Sequence, residues 1–235
     1  MNRNEELVTL ISTIGKKSFD MDFAELPNYI PPVQARAIDA EYRMLSSFNL
    51  LLKERSFAQL TIDDIASKAN VSKSSFFQRF GDKDTALLIL YRQYCLEIVD
   101  LLVHATNQIE NFTSSTIEKA FLEIVMSFHK ILTQHIAVNK AMNLKFAEAG
   151  TVHNDTKLIF LKSAELIDKI NKADFFDVKY DSSNTWTANQ VLVTLTYNYS
   201  TGAMSAMPKD RKNGCRIISN LVLKCLMFDC ESSLD

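Results

Sequence analysis

The chain has 235 residues, of which 47% are apolar and 23% charged, an ordinary globular balance with enough length for a sizeable core in one or two domains. A net charge of −2 gives no global attraction to nucleic acid, so any such binding must come from a local patch. Glycine and proline number only 5 and 4, with prolines at Pro27, Pro31, Pro32 and Pro208. The span 33–207 thus carries no proline helix breaker, and an all-α fold is expected.

Residues 1–32 read as an N-terminal extension. Leu7, Leu10, Ile11 and Ile14 could form one short amphipathic helix, followed by the loop "DMDFAELPNYIPP". The opening "MNRNEELVTLISTIGKK" has acidic residues and a broken apolar run, unlike a signal peptide. From about 33 to 55 the pattern is helical, with Met44, Leu45, Phe48, Leu51 and Leu52 as the apolar stripe.

The segment "TIDDIASKANVSKSSFFQRFGDKD", from Thr61 to Asp84, holds two short helical patterns separated by about two residues. Helices that short are marginal alone and must be braced by neighbours. Thr61 suits an N-cap, its hydroxyl accepting from a backbone N–H at Asp63 or Asp64. Asp63 and Asp64 then lie in the first turn, where the helix dipole favours negative charge. Asn70 falls at the sharp turn, and Asn tolerates the left-handed conformation better than other non-glycine residues. Ser72 can cap the second helix, while Phe76 and Phe80, four apart, anchor it inward. Lys73, Ser74, Ser75, Phe77, Gln78 and Arg79 are left for the outside. A short, polar, basic helix face of this kind suits a major groove, with some groups on phosphates and others on base edges.

A long helix is expected from about Asp82, with Leu87, Leu90, Tyr91, Tyr94, Ile98, Leu101 and Leu102 on one face. Further helices are expected near 114–135, 137–149 and 155–172, before "NKADFFDVKYDSSN" breaks the pattern. From Ser182 to Pro208 there is no charged residue. Asn184, Asn189, Gln190, Asn198 and many Ser and Thr make it too polar for a membrane span, so a shielded helix is expected. "KDRKNG" reads as the break after it, and a last apolar helix is expected from about 215 to 229.

Enzyme chemistry finds no support. The histidines at 104, 129, 135 and 153 lack metal-ligand spacing, and there is no glycine-rich phosphate loop or nucleophile motif. No metal and no cofactor are expected. The cysteines, Cys95, Cys215, Cys225 and Cys230, include no Cys-x-x-Cys pair and read as idle thiols of a cytoplasmic protein.

The run "RMLSSFNLLLKERSFAQLTIDDIASKANVSKSSFFQRFGDKDTALL" (43–88) resembles the N-terminal domain of the TetR family of bacterial transcriptional regulators. It departs from the family pattern in four places. Asn70 and Ser56 stand where glycine is usual, Phe77 where a phosphate-contacting Tyr is usual, and Arg79 where His is frequent. By position, the resemblance makes Arg43, Thr61, Lys73 and Lys83 phosphate contacts, with Arg79 able to replace another. Ser74, Ser75 and Gln78 become base readers. Between 40 and 94 there are eight basic and six acidic side chains, so binding should rely on dimeric contacts rather than on bulk charge.

The resemblance implies three parts: an extension (1–32), a helix-turn-helix domain (33–81) and a helical effector-binding and dimerisation domain (82–235). It implies a homodimer through the last two helices on a double-stranded, palindromic DNA operator. Release by a small-molecule effector is the expected mechanism, with the helix from Asp82, by its continuous apolar stripe, as the lever. Candidate effector contacts are Phe121, Val125, Phe128, Leu132 and His135 on one stripe, bordered by His129, with Trp186, Gln190, Val193 and Tyr197 on another. The same stripes also suit plain core. The alternative function is a DNA-bound scaffold or activator regulated by a protein partner.

Overall fold

The computed structural model describes residues 29, 31–149, 154–173, 175 and 182–227; the proposed helix around Leu7–Ile14 lies outside them. Among the described residues there are nine α-helices and no strand. They are α1 (Ala35–Glu54), α2 (Ile62–Lys68), α3 (Lys73–Phe80), α4 (Lys83–Gln108), α5 (Ile117–Gln134), α6 (Ile136–Ala149), α7 (Asn154–Lys172), α8 (Ser182–Ser200) and α9 (Arg211–Cys225). None is long and apolar enough to cross a membrane.

The chain divides into two compact units. The first holds α1 to α3, the start of α4 as far as Tyr94, and α6. Its core is the expected α1 stripe together with Ile65, Ala66, Phe76, Phe80, Leu87 and Leu90, all buried. Burial of such side chains contributes roughly 1.5–3 kcal/mol each, which offsets the poor intrinsic stability of a seven- or eight-residue helix. Asn139 on α6 donates to the Tyr94 hydroxyl at 2.7 Å, and Tyr91 packs edge-on against Phe146.

The second unit holds the rest of α4 with α5, α7, α8 and α9. Phe121, Val125, Phe128 and Leu132 of α5 are buried with Leu166 and Ile167 of α7, Leu192 of α8 and Ile218 of α9. Two boundaries differ from expectation. Helix α8 stops at Ser200, because Gly202 takes φ +75° and the amides of Gly202 and Ala203 turn back onto the Tyr199 and Asn198 carbonyls. Helix α9 begins at Arg211, inside "KDRKNG", because the Asp210 side chain accepts from the Asn213 amide at 2.9 Å. Gly214 is a packing position rather than a breaker. Any Cβ there would overlap the Tyr199 ring, whose hydroxyl donates to the Pro208 carbonyl at 2.8 Å.

Candidate nucleic-acid interface

The turn between α2 and α3 is built as its residues dictate. Thr61 Oγ1 accepts from the Asp64 amide at 3.1 Å, while the Thr61 amide and hydroxyl donate to Asp64 Oδ2 at 2.9 and 2.7 Å. Those two donors, with Arg55 at 3.2 Å, hold the Asp64 carboxyl at about 2, well below the usual carboxylate range. Asn70 takes φ +53°, and the Val71 amide donates to the Ala66 carbonyl at 3.0 Å, closing the end of α2. Ser72 Oγ accepts from the Ser75 amide at 3.1 Å and starts α3. Gly81, at φ +74°, ends it.

Helix α3 is fixed inward by Phe76 and Phe80, both fully buried, with ring centroids 4.9 Å apart. Its outward side chains are Lys73, Ser74, Phe77 and Gln78, all exposed; Phe77 is 44% accessible. Lys73 Nζ lies 2.6 Å from Asp63 across the turn. Both groups are exposed, so the pair is weak and a phosphate can compete for the lysine. The Ser75 hydroxyl is half-buried and lies 2.7 Å from Ser72 Oγ.

Three cations expected on phosphates have partners within the fold. Arg43 Nη1 donates to the carbonyls of Ala69 (2.7 Å) and Asn70 (3.3 Å), clamping the α2–α3 turn from α1. Lys83 Nζ donates to the carbonyls of Phe57 (2.7 Å) and Leu60 (2.6 Å) and sits over the Phe57 ring. Burial lowers its pKa. Arg79 is only 19% exposed and lies 3.4 Å from Glu41 Oε2 on α1. Glu41 Oε1 in turn accepts from the Tyr29 hydroxyl at 2.7 Å. Tyr29 is buried, and its ring stacks on Phe80 at 6.4 Å, nearly parallel. Thr61 spends its hydroxyl on capping α2.

Glu41 and Tyr29 were not among the sequence candidates. A signal for Glu41 existed: it lies three residues before Met44, on the apolar stripe of α1, where a charge needs a partner. Tyr29 lies in a stretch that reads as loop and gives no such signal.

Ser56, at the glycine position of the family pattern, has φ −64° and needs no glycine. Its amide and hydroxyl both donate to Gln59 Oε1, at 3.2 and 2.9 Å.

Residues 50–88 match the model of the bacterial regulatory proteins of the tetR family. Over these residues the chain is similar to the N-terminal domain of that family. A helix-turn-helix transcriptional regulator of Bacillus subtilis strain 168, YxbF, itself uncharacterised, is 32% identical over 79 residues. That match spans 34% of this chain and only 20% of the relative. A candidate TetR-family regulator from Mesorhizobium loti superposes with a TM-score of 0.63, at 11% identity, over 83% of this chain and 98% of its own. A TetR-like regulator from Rhodococcus sp. RHA1 gives 0.53 at 16% identity, over 85% of this chain and 100% of its own. These two establish a shared fold.

The effector candidates are scattered. Phe121, Val125, Phe128, His129 and Leu132 line one buried face of α5. The His129 ring packs tilted against Tyr199, centroids 4.9 Å apart, and burial, with the Arg211 charge, lowers its pKa. His135 does not continue that stripe. It lies beyond the end of α5, in the first unit, stacked on Tyr94 at 5.7 Å. Trp186 is 64% exposed rather than inward, while Gln190 and Tyr197 are half-buried. Val193 is buried, as are Asn189 and Thr196, whose Oδ1 and Oγ1 atoms have no hydrogen-bond partner among the described residues. Among the described residues no cluster of His, Cys, Asp and Glu could hold a metal.

Proposed function

We propose that this protein is a dimeric transcriptional repressor that places α3 of each copy in the major groove of a palindromic operator and is released by a small molecule. The observation that carries the reading is the outward face of α3. Lys73, Ser74, Phe77 and Gln78 stand exposed on a helix held from behind by Phe76 and Phe80. Lys73 supplies the phosphate contact; Gln78 and Ser74 read base edges. Exposed Ile217 and Leu221, one turn apart on α9, support pairing of two copies. Such a dimer sets its recognition helices about 34–36 Å apart, one turn of DNA. The effector belongs in the second unit, where Asn189 Oδ1 and Thr196 Oγ1 offer unmet hydrogen-bonding capacity inside an apolar core. It acts by binding the form of the dimer whose helices are mis-spaced more tightly than the DNA-competent form.

The test is selection of genomic fragments on the purified full chain, repeated with two variants. Gln78→Ala relaxes preference at one base position at a cost of roughly 1–3 kcal/mol, whereas Lys73→Ala weakens all sequences alike and flattens the salt dependence. Identical profiles for the two variants would refute the assigned roles. Failure of the parent chain to enrich any palindrome would refute operator binding.

A further inference from the structure

The Tyr29–Glu41–Arg79 chain of contacts joins three parts of the first unit that are remote in sequence: the stretch before α1, α1 itself and the recognition helix α3. Each link is short or buried. Tyr29 Oη donates to Glu41 Oε1 at 2.7 Å, and Glu41 Oε2 faces Arg79 Nε at 3.4 Å. Glu41 is 8% exposed and Tyr29 6%. Tyr29 touches α3 a second time, through its parallel stack on Phe80. We propose that Tyr29 and Glu41 are positioning residues for the recognition helix, tethering α3 to α1 through Arg79, which serves as an internal strut and not as a DNA contact. The proposal rests on the DNA-binding reading of α3 given above.

Charge balance supports it. A carboxylate taken out of water must be paired, and breaking the pair from either side leaves one charge buried alone. Burial raises the pKa of Glu41, and the two partners named here, Tyr29 and Arg79, hold it down. Burial also raises the Tyr29 phenol, followed by the Glu41 contact, so the phenol stays a donor. Pulling Arg79 out to a phosphate would strand that carboxylate, whereas Lys73, in its exposed pair with Asp63, can leave without stranding anything. The tether also explains how arginine serves at a position where the family often has His: it reaches back to α1 rather than forward.

Hydrogen–deuterium exchange on the full-length protein reads the tether directly. Tyr29→Phe, Glu41→Gln and Arg79→Gln should each speed exchange in the peptide spanning residues 73–80, about tenfold for the two charge variants. Peptides from 117–134 should not change. The double variant Glu41→Gln/Arg79→Gln, which replaces an ion pair by two neutral amides, should exchange more slowly than the product of the single effects. Unchanged exchange in 73–80, or strictly multiplicative effects, would overturn the tether.

Binding to a pool of random-sequence duplexes across a salt series then reads the strut. Arg79→Gln should weaken binding with its salt slope unchanged, while Lys73→Ala lowers the slope. A fall in slope of about 0.9 per chain on removing Arg79 would make it a phosphate contact and overturn the proposal. If the parent chain bound no duplex at all, the DNA-binding reading would fall, and exchange in 73–80 would still decide the tether.

Discussion

Gly214 and Tyr199 allow a prediction whose sign depends on a neighbour. In an exposed helix, replacing glycine by alanine stabilises by about 1 kcal/mol, because alanine has less backbone freedom to lose. At Gly214 the new methyl would fall on the Tyr199 side chain, with ring Cε1 at 2.5 Å and ring Cζ and the hydroxyl oxygen closer. An ordinary carbon–carbon separation is about 3.5–4.0 Å, so ring or helix must retreat by about 1 Å or more. Overpacking of this kind costs about 1–3 kcal/mol. Displacing the ring also weakens the hydroxyl's bond to the Pro208 carbonyl, about 1 kcal/mol. The net effect of Gly214→Ala is a loss of about 1–3 kcal/mol, a fall in Tm of about 2–12 °C for a chain of this size. In a Tyr199→Ala background the obstacle is gone. The same substitution should then raise Tm by about 2–4 °C, the ordinary helix preference. Thermal melts of the four proteins, followed by circular dichroism, decide the matter. A destabilising effect of equal size in both backgrounds would refute the packing argument, as would a Gly214→Ala protein that melts with the parent.

Two other predictions concern the interface and the second unit. Phe77→Tyr adds a hydroxyl at an exposed position where family members carry one that meets a phosphate. Operator affinity measured by fluorescence anisotropy should rise about fivefold per half-site, from about 1 kcal/mol, with Tm unchanged; no gain would mean that Phe77 faces away from the backbone of the DNA. His129 has its pKa lowered by burial and then by Arg211. Its neutral form is therefore favoured on folding, so its contribution to stability is complete above the unfolded value of about 6.5 and is lost as pH falls below it. Denaturant unfolding between pH 5 and 8 should show this acid loss in the parent and a flatter profile in His129→Gln, and superimposable profiles would contradict the assignment.

The helix-turn-helix was legible because its determinants are local. Thr61, Asn70 and Ser72 each act on backbone within three or four residues, and the phenylalanine pair Phe76 and Phe80 announces the buried side of α3 by its spacing. The partners of Arg43, Lys83 and Arg79 were not legible for the opposite reason. Arg43 and Lys83 spend their donors on carbonyls 23 to 27 residues away, and Arg79 meets a carboxylate on another helix. A long basic side chain near the helix-turn-helix invites a phosphate role, and only the fold shows which carbonyl or carboxylate it also reaches. Gly214 misled in a similar way: beside Lys and Asn it reads as a breaker, and only the Tyr199 ring shows it to be a fit. His135 and Trp186 matched the helical period of their neighbours, but period alone does not say where a helix ends or which neighbour covers it.

On the proposed reading, with Arg79 paired to Glu41 and Ser75 half-buried beside its cap, α3 has Ser74 and Gln78 as its base readers. In terms of information, that is a small alphabet. Two readers would specify about two base pairs, so a half-site would recur roughly every 16 base pairs and a two-fold pair of them roughly every 256. A genome offering about 10⁶ or more competing positions would still contain thousands of such matches. The rest of the address has to be written in features no side chain of α3 touches: the spacing of the two half-sites, and how readily the DNA between them takes the shape the pair of helices requires.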